Sequence, residues 1–268
     1  MNMGDYDDAI VKFDSVGAYK DAKTKAMENR YQKSKALLAA GDYDKASEML
    51  FNLRNSTSNE IERFKQIAYN DGLIALADEH YCDAFYLFLF SLDYSDSFTK
   101  CSSIADLSDT SEVYSMLLNV KNFIQKESND DGQNRYVELA QTLTGHYLKG
   151  SWITSMHKVA NDYQFVDKEP SNVTISFIGN SIQINCPSGF DVSYSPKRVY
   201  SVNISDLNMS GNNTVSGKFS DGPITSTQTM HGKISIDLSE NTISLSATRG
   251  RSTKSGDSGN FMMELVRE

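Results

Sequence analysis

Oxygen-bearing side chains recur at alternate positions around residue 130, with a spacing that could bind a calcium ion. Glu127, Asn129, Asp131 and Glu138 stand at positions 1, 3, 5 and 12 of a twelve-residue segment between two predicted helices. Calcium prefers carboxylate and amide oxygens, and a loop with this spacing can wrap them around the ion. However, Arg135 places a cation at position 9, where a ligand or a water molecule is needed. We therefore interpret the segment as an ordinary interhelical turn and keep these four residues only as candidate metal ligands.

A serine lies in the Gly-Asp-Ser-Gly sequence of residues 256–259, which resembles the nucleophile segment of trypsin-like proteases. That chemistry needs a histidine base and a buried aspartate beside the serine. His157 and His231 lack the surrounding motif of that family, and Asn260 replaces its final glycine. The segment is therefore interpreted as a hairpin loop made of turn-forming residues.

The other reactive residue types do not combine into a recognisable site. Cys82, Cys101 and Cys186 are odd in number and far apart, which favours buried thiols over a disulfide framework or a metal site. The histidines have no paired metal-ligand spacing, and the sequence contains no glycine-rich phosphate loop. The sequence therefore predicts a protein that is not an enzyme and that binds no cofactor.

The charge of the chain is unevenly distributed. The net charge is −9, and residues 1–150 carry 24 acidic and 16 basic side chains. Binding to nucleic acid requires clustered lysine and arginine, so the acidic first half argues against it. A membrane-spanning helix needs about 20 consecutive apolar residues, and the sequence has no such run.

The first half of the sequence repeats itself. Tyr6, Tyr43 and Tyr81 are 37 and 38 residues apart, and an apolar residue follows each tyrosine after seven positions. Self-similarity at this period is typical of stacked helical hairpins. Gly41 suits the end of one helix, and Asp42 is expected to cap the next. We predict that the three tyrosines occupy equivalent positions at helix starts.

This repeat resembles the tetratricopeptide family over about residues 4–105. Gly-Asp-Tyr-Asp-Lys-Ala at residues 41–46 is similar to the start of that family's second helix. The chain departs from the family in its longer period and in lacking the proline that ends each repeat. The resemblance implies a surface that binds a protein or peptide. Because residues 4–6 already correspond to a second helix, we expect the chain to be a fragment of a larger bacterial protein.

Two further helices are predicted at residues 111–127 and 134–148. Within the third repeat lies the very apolar segment 84–90, which has almost no polar stripe. Surface helices show such a stripe, so we predict that this helix is buried on more than one face.

From about residue 149 the pattern changes to β structure. Apolar and polar residues alternate in short runs, for example at 173–177, 234–238 and 243–247. This period of two, with turn residues between the runs, predicts eight or nine antiparallel strands in a barrel or a sandwich. The predicted domains are therefore an α-helical repeat domain at residues 1–148 and an all-β domain at residues 149–268.

The β region opens with Gly-Ser-Trp at residues 150–152, which resembles the start of lipocalin-like barrels. In that family a late basic residue covers the tryptophan, and Arg267 is the matching candidate. We predict that Trp152 is a core residue of the first strand and that Arg267 lies beside it. This resemblance implies a barrel whose interior could hold a small apolar ligand.

These patterns lead to two functional hypotheses. The first is a noncatalytic bacterial binding or scaffold protein, whose helical repeats present a surface to a protein or peptide and whose β domain is a second recognition module. The alternative is a carrier of a small apolar ligand in the β-barrel. The β region is rich in serine, threonine and asparagine and poor in lysine. This composition favours an extracytoplasmic protein, or one tethered to a membrane through a segment upstream of residue 1.

Overall fold

A computed structural model describes most of the chain and divides it into two compact units. The described residues are 3–17, 19, 21–56, 60–127, 130–161, 164–167, 172–178, 181–191, 198–208, 214–220, 231–239, 242–249 and 260–267. The units are Met1–Leu139 and Ala140–Glu268. The fold class is the one predicted, with helical hairpins followed by a separate antiparallel β region.

Helices make up the first part of the chain, and consecutive helices pack as hairpins. In the described residues they are α1 (Met3–Ser15), α2 (Ala22–Ala39), α3 (Tyr43–Arg54), α4 (Ile61–Ala77), α5 (Tyr81–Phe90), α6 (Ser97–Ile104), α7 (Thr110–Lys126) and α8 (Asp130–Leu148). Helix α2 packs against α1 and α3, and α5 packs against α4 and α6. Short connections make each of these neighbours antiparallel. The boundary between the two units lies within α8.

The turns that begin α3 and α5 have the same construction. Gly41 and Glu79, one repeat apart, both have left-handed backbone conformations, with φ of 75° and 61°. The amide of the next residue donates to the carbonyl five residues earlier. The Asp42 amide donates to Leu37 at 3.0 Å, and the His80 amide donates to Ala75 at 2.9 Å. This is the Schellman closure of a helix end, which favours glycine because only glycine adopts that conformation without strain.

The positions of the three repeat tyrosines agree only in part with the prediction. Tyr43 and Tyr81 are the first residues of α3 and α5, whereas Tyr6 is the fourth residue of α1. All three side chains are half-buried. The predicted cap at Asp42 is wrong in one respect: the residue is the N-cap of α3, but its side chain accepts no helix amide. Its carboxylate binds the Lys45 ammonium at 2.7 Å instead.

Helix α5 is the centre of the helical unit, as its sequence predicts. Every side chain from Ala84 to Phe90 is at most 3% exposed. The helix contacts α2, α3, α4, α6 and α7, so it is covered on all faces. A helix without a polar stripe is stable in this setting because the surrounding helices remove its apolar surface from water.

The β unit is one curled antiparallel sheet. Its described strands are β1 (Gly150–Asn161), β2 (Gln164–Asp167), β3 (Asn172–Ile178), β4 (Ser181–Asp191), β5 (Arg198–Asn208), β6 (Thr214–Ser220), β7 (His231–Leu238), β8 (Thr242–Arg249) and β9 (Asn260–Arg267). Their order is β2-β1-β3-β4-β5-β6-β7-β8-β9, and β1 also pairs with β9. In that pairing Trp152 lies opposite Arg267. The sheet is therefore curled like a half-barrel, with β1 also paired to β9, which is closer to the predicted barrel than to two stacked sheets.

Candidate functional site: a groove on the helical unit

Three of the four candidate metal ligands are described, and they lie at the end of α7 and within α8. Glu127 ends α7 with an extended backbone, and α8 begins at Asp130, so Asp131 and Glu138 lie within a helix. Asn129 lies outside the described residues. In the part of the chain that the structure describes, no group of three or more histidine, cysteine, aspartate or glutamate side chains is placed to hold a metal ion.

The protease-like segment 256–259 also lies outside the described residues.

A different set of polar side chains surrounds a cavity of about 520 Å³ at the starts of α3 and α5, among them Tyr43, Cys82 and Glu112. Burial raises the pKa of the Cys82 thiol to about 12, and the Glu112 carboxylate adds to the rise. Burial likewise raises the pKa of Tyr43 to about 12. At neutral pH both groups are protonated hydrogen-bonding partners and not nucleophiles.

A groove of about 660 Å³ opens between α1, α2 and α3. Each of the three helices contributes apolar side chains to it: Ile10 from α1, Met27 from α2, and Met49 and Leu53 from α3. This volume lies within the range of protein ligand sites, about 300–1,000 Å³. Methionine side chains are unbranched and polarisable, so they adapt to apolar partners of different shape.

Charged side chains of both signs surround this apolar surface, and some of them fasten its walls together. Asp14 of α1 binds Arg30 of α2, and Asp7 of α1 binds Lys33 of α2, both at 2.5 Å. Exposed ion pairs of this kind contribute little energy each. Their effect is to orient α1 against α2. Between α1 and α3, Ile10 and Met49 are partly exposed, while Met27 and Leu53 are buried.

Helix α7 lies on the other flank of α3, where a buried polar network holds it. The Asn119 side chain accepts a hydrogen bond from Ser47 Oγ at 2.9 Å and donates to Tyr86 Oη at 3.0 Å and to Asp44 Oδ1 at 3.1 Å. One turn further along α7, Phe123 stacks on Phe51 with ring centres 4.5 Å apart. This network fixes the register of α7 on α3 and α5, because a shift would leave buried polar groups without partners.

Lys121 is an unusual side chain on the same helix. It is 6% exposed, and its ammonium group is buried and has no hydrogen-bond partner among the described residues. Burial lowers the pKa of Lys121 to about 8. The group is therefore a source of instability in the folded helical unit at neutral pH.

In the β unit the structure brings Trp152 and Arg267 together. Trp152 is fully buried, and its indole N–H donates to the Leu148 carbonyl at 2.9 Å. The Arg267 guanidinium lies over the indole, 4.2 Å from the ring centre, and donates to the carbonyls of Tyr147 and Lys149. The cluster thus joins the first and last strands to the end of α8.

The described interior next to this cluster is filled by apolar side chains. They come from β3, β4, β5, β7, β8 and β9: Val173, Ile175, Ile182, Ile184, Ile204, Ile236, Leu238, Ile243 and Leu265, all at most 4% exposed. This end of the sheet therefore has an ordinary packed core. The apolar-ligand carrier remains a prediction, since the side chains facing the opposite end lie outside those described.

Comparison of the chain with protein-family models, with curated proteins and with solved structures finds no match. Within the described residues, no helix is both long enough and apolar enough to cross a membrane.

Sequence reasoning did not find the groove or the network on α7. A signal for the network exists, because Asn119 falls among the buried apolar side chains of α7, between Met116 and Phe123. No comparable signal marks the groove. Ile10, Met27, Met49 and Leu53 look like ordinary core positions of amphipathic helices. Only the packing of α1 and α3 on α2 leaves Ile10 and Met49 partly exposed while it buries Met27 and Leu53.

Proposed function

We propose that the helical unit is a noncatalytic protein-binding module of the tetratricopeptide-like type and that the groove between α1, α2 and α3 is its binding site. The observation that carries this proposal is the apolar surface of the partly exposed Ile10 and Met49, which lies over the buried Met27 and Leu53 within a rim of charged side chains. Apolar anchors supply most of the affinity at protein interfaces, and a charged rim selects the partner.

The fold supports this proposal without defining the partner. Hairpins related by a 37–38-residue period build an extended surface from repeated units, and such arrays are suited to binding proteins and peptides. The β unit is then a second recognition module, with a lipocalin-like arrangement of Trp152 and Arg267 as its structural anchor.

Selection from a random peptide library displayed on phage, with the full chain as target, tests the proposal. The key variant is Ile10→Arg, which places a cation inside the apolar groove. The matched control is Val11→Arg on the same helix, because Val11 is 67% exposed and does not line the groove.

We expect selected peptides to lose at least about tenfold in affinity for the Ile10→Arg variant, a change of roughly 1.4 kcal/mol. Their affinity for the Val11→Arg variant should change less than about twofold. A selection that yields no binder, or binders that tolerate Ile10→Arg as well as Val11→Arg, would show that the groove is not a binding site.

A further inference from the structure

The repeat relates the open groove to a second groove that the chain itself fills. Helices α1 and α3 are one repeat apart, with an offset of 37 residues, and α3 and α5 are one repeat apart, with an offset of 38. The surface between α1 and α3 therefore corresponds to the surface between α3 and α5. Helix α7 packs against both α3 and α5.

On the α3 side of the groove that holds α7, the correspondence can be followed residue by residue. Ser47 and Phe51 of α3 contact Asn119 and Phe123 of α7. One repeat earlier, their counterparts are Ile10 and Asp14 of α1, and both line the open groove.

The α5 side of the groove that holds α7 shows the same relationship. The Tyr86 hydroxyl of α5 accepts a hydrogen bond from the Asn119 amide, and Phe90 lies with Phe51 and Phe123 around a nearly filled space of about 10 Å³. Their counterparts one repeat earlier are Glu48 and Asn52 of α3, which also line the open groove. The surfaces of α3 and α5 that hold α7 therefore correspond to surfaces of α1 and α3 that line an open groove.

We infer that the occupant of the open groove is an amphipathic α-helix of a partner protein, seated between α1 and α3 as α7 is seated between α3 and α5. This inference rests on the proposed function and names the class of its partner. Helices bind apolar grooves through anchors spaced three and four residues apart, which is the spacing of Asn119 and Phe123 on α7.

The differences between the two grooves define the chemistry of the partner helix. Ile10 replaces Ser47, whose hydroxyl donates to Asn119, so an apolar residue is favoured opposite Ile10. Asp14 replaces the aromatic Phe51, so a basic residue is favoured one turn later. Asp7 and Glu48 are paired with Lys33 and Lys126, but each acidic side chain stays more than half exposed, so a lysine or arginine beside the apolar stripe can share these carboxylates.

A peptide derived from α7 is the probe. It spans residues 109–127 and carries Asn119→Leu, to meet Ile10, and Phe123→Lys, to meet Asp14. A second peptide adds Asn122→Pro at a position that is exposed on α7. Proline within a helix removes a backbone hydrogen bond and clashes with the preceding turn, so this peptide keeps the contact residues but cannot form the helix.

Binding to the full chain is measured by fluorescence anisotropy, and helix formation by circular dichroism of the mixture minus that of its components. We expect the first peptide to bind and to gain helicity, and the proline peptide to bind at least about tenfold more weakly. Ile10→Arg in the protein should weaken binding by a similar factor, whereas Val11→Arg should not.

Three outcomes would overturn the inference. Binding that the proline substitution leaves unchanged would show an extended ligand, and the groove would keep its proposed function. Binding that Ile10→Arg leaves unchanged would show that the peptide has displaced α7 from its own groove. If the peptide does not bind at all, the helix inference fails, and the library selection decides separately whether the groove binds other peptides.

Discussion

The helical unit and the β unit bury different kinds of residue. The helical core combines aromatic side chains with buried polar groups, including Ser47, Lys65, Asn119 and Lys121. The described core residues of the strands themselves are aliphatic except for Trp152. The paired polar groups of the first unit, such as Ser47, Lys65 and Asn119, specify which helix surfaces meet, because each needs a particular partner. In the second unit the hydrogen-bonded ladders between strands already define the register, so an aliphatic interior suffices.

Because of this difference, the two units are expected to lose stability differently when single residues are substituted. Many large side chains share the helical core, so most single changes should weaken it only in part. In the β unit one indole and one guanidinium join the first strand, the last strand and the end of α8. Four substitutions test this comparison.

Trp152→Ala should have the largest effect. Removal of a large, fully buried side chain costs about 3–5 kcal/mol, and Arg267 would lose the ring on which it stacks. We expect the β unit to unfold at a lower temperature while the helical signal in far-UV circular dichroism keeps its original melting transition. Ile153→Ala, at the partly exposed neighbour, is the control and should melt close to the parent. Equal melting of Trp152→Ala and the parent would contradict the anchoring role of Trp152.

Gly72→Ala tests packing around α5. A Cβ at position 72 would lie 3.0 Å from the Phe88 ring, and overpacking of this kind costs about 1–3 kcal/mol. Alanine in a helix gains at most about 1 kcal/mol over glycine, so chemical denaturation should show a net loss of stability. The loss should shrink when Phe88→Leu is present in the same chain. Ile74→Ala, on the exposed side of the same helix, should change stability by less than about 0.5 kcal/mol.

Lys121→Met should stabilise the helical unit. The pKa of Lys121 in the folded protein is about 8, below the ordinary lysine pKa of about 10.4. Between these values the unfolded chain binds more protons, so the stability of the parent rises with pH. We therefore expect the variant to gain about 1–2 kcal/mol at pH 7 and to lose most of that advantage near pH 10.

Urea denaturation at the two pH values measures this effect. Lys126→Met, at an exposed position of the same helix, should change stability by less than about 0.5 kcal/mol at either pH. A Lys121→Met variant that is less stable than the parent at pH 7 would show that the ammonium group has a favourable partner in solution.

Asp93→Asn should have the smallest effect, with a characteristic pH dependence. Burial alone would raise the pKa of Asp93, but Arg54 and Lys65 together hold it below its ordinary value; their nitrogens lie 3.3 and 2.7 Å from the carboxylate. The stabilisation is therefore present above the ordinary carboxyl pKa of about 4 and is lost as the pH falls through the lower folded value.

Because the Asp93 carboxylate is partly exposed, solvent screening limits the cost of the substitution at pH 7 to less than about 1 kcal/mol. Urea denaturation at pH 7 and pH 3 measures the free energies of unfolding of the parent and Asp93→Asn. The two values should converge at the lower pH. Asp8→Asn, at an exposed carboxylate of α1, is the control and should change stability at pH 7 less than Asp93→Asn does. A difference between parent and Asp93→Asn that grows on acidification would contradict the assigned ion pairs.

Local patterns in the sequence predicted the elements of both units. The 37–38-residue period predicted the hairpins, the missing polar stripe of residues 84–90 predicted the burial of α5, and period-two alternation predicted the strands. These properties are encoded in residues that are neighbours along the chain, because helix and strand periodicity depends on positions only two to four residues apart. Gly150-Ser-Trp152 and Arg267 also predicted the closing contact of the sheet, although this rested on a family resemblance.

Only the tertiary structure decided which apolar faces are covered. Ile10 and Ser47 occupy the same position of the repeat, yet α7 covers Ser47 through Asn119, 72 residues further along the chain, while Ile10 lines an open groove. An apolar stripe shows that a helix face avoids water, but it does not show whether the chain itself or a partner covers that face. The covering element comes from a distant part of the sequence, and its choice depends on how all the helices pack together.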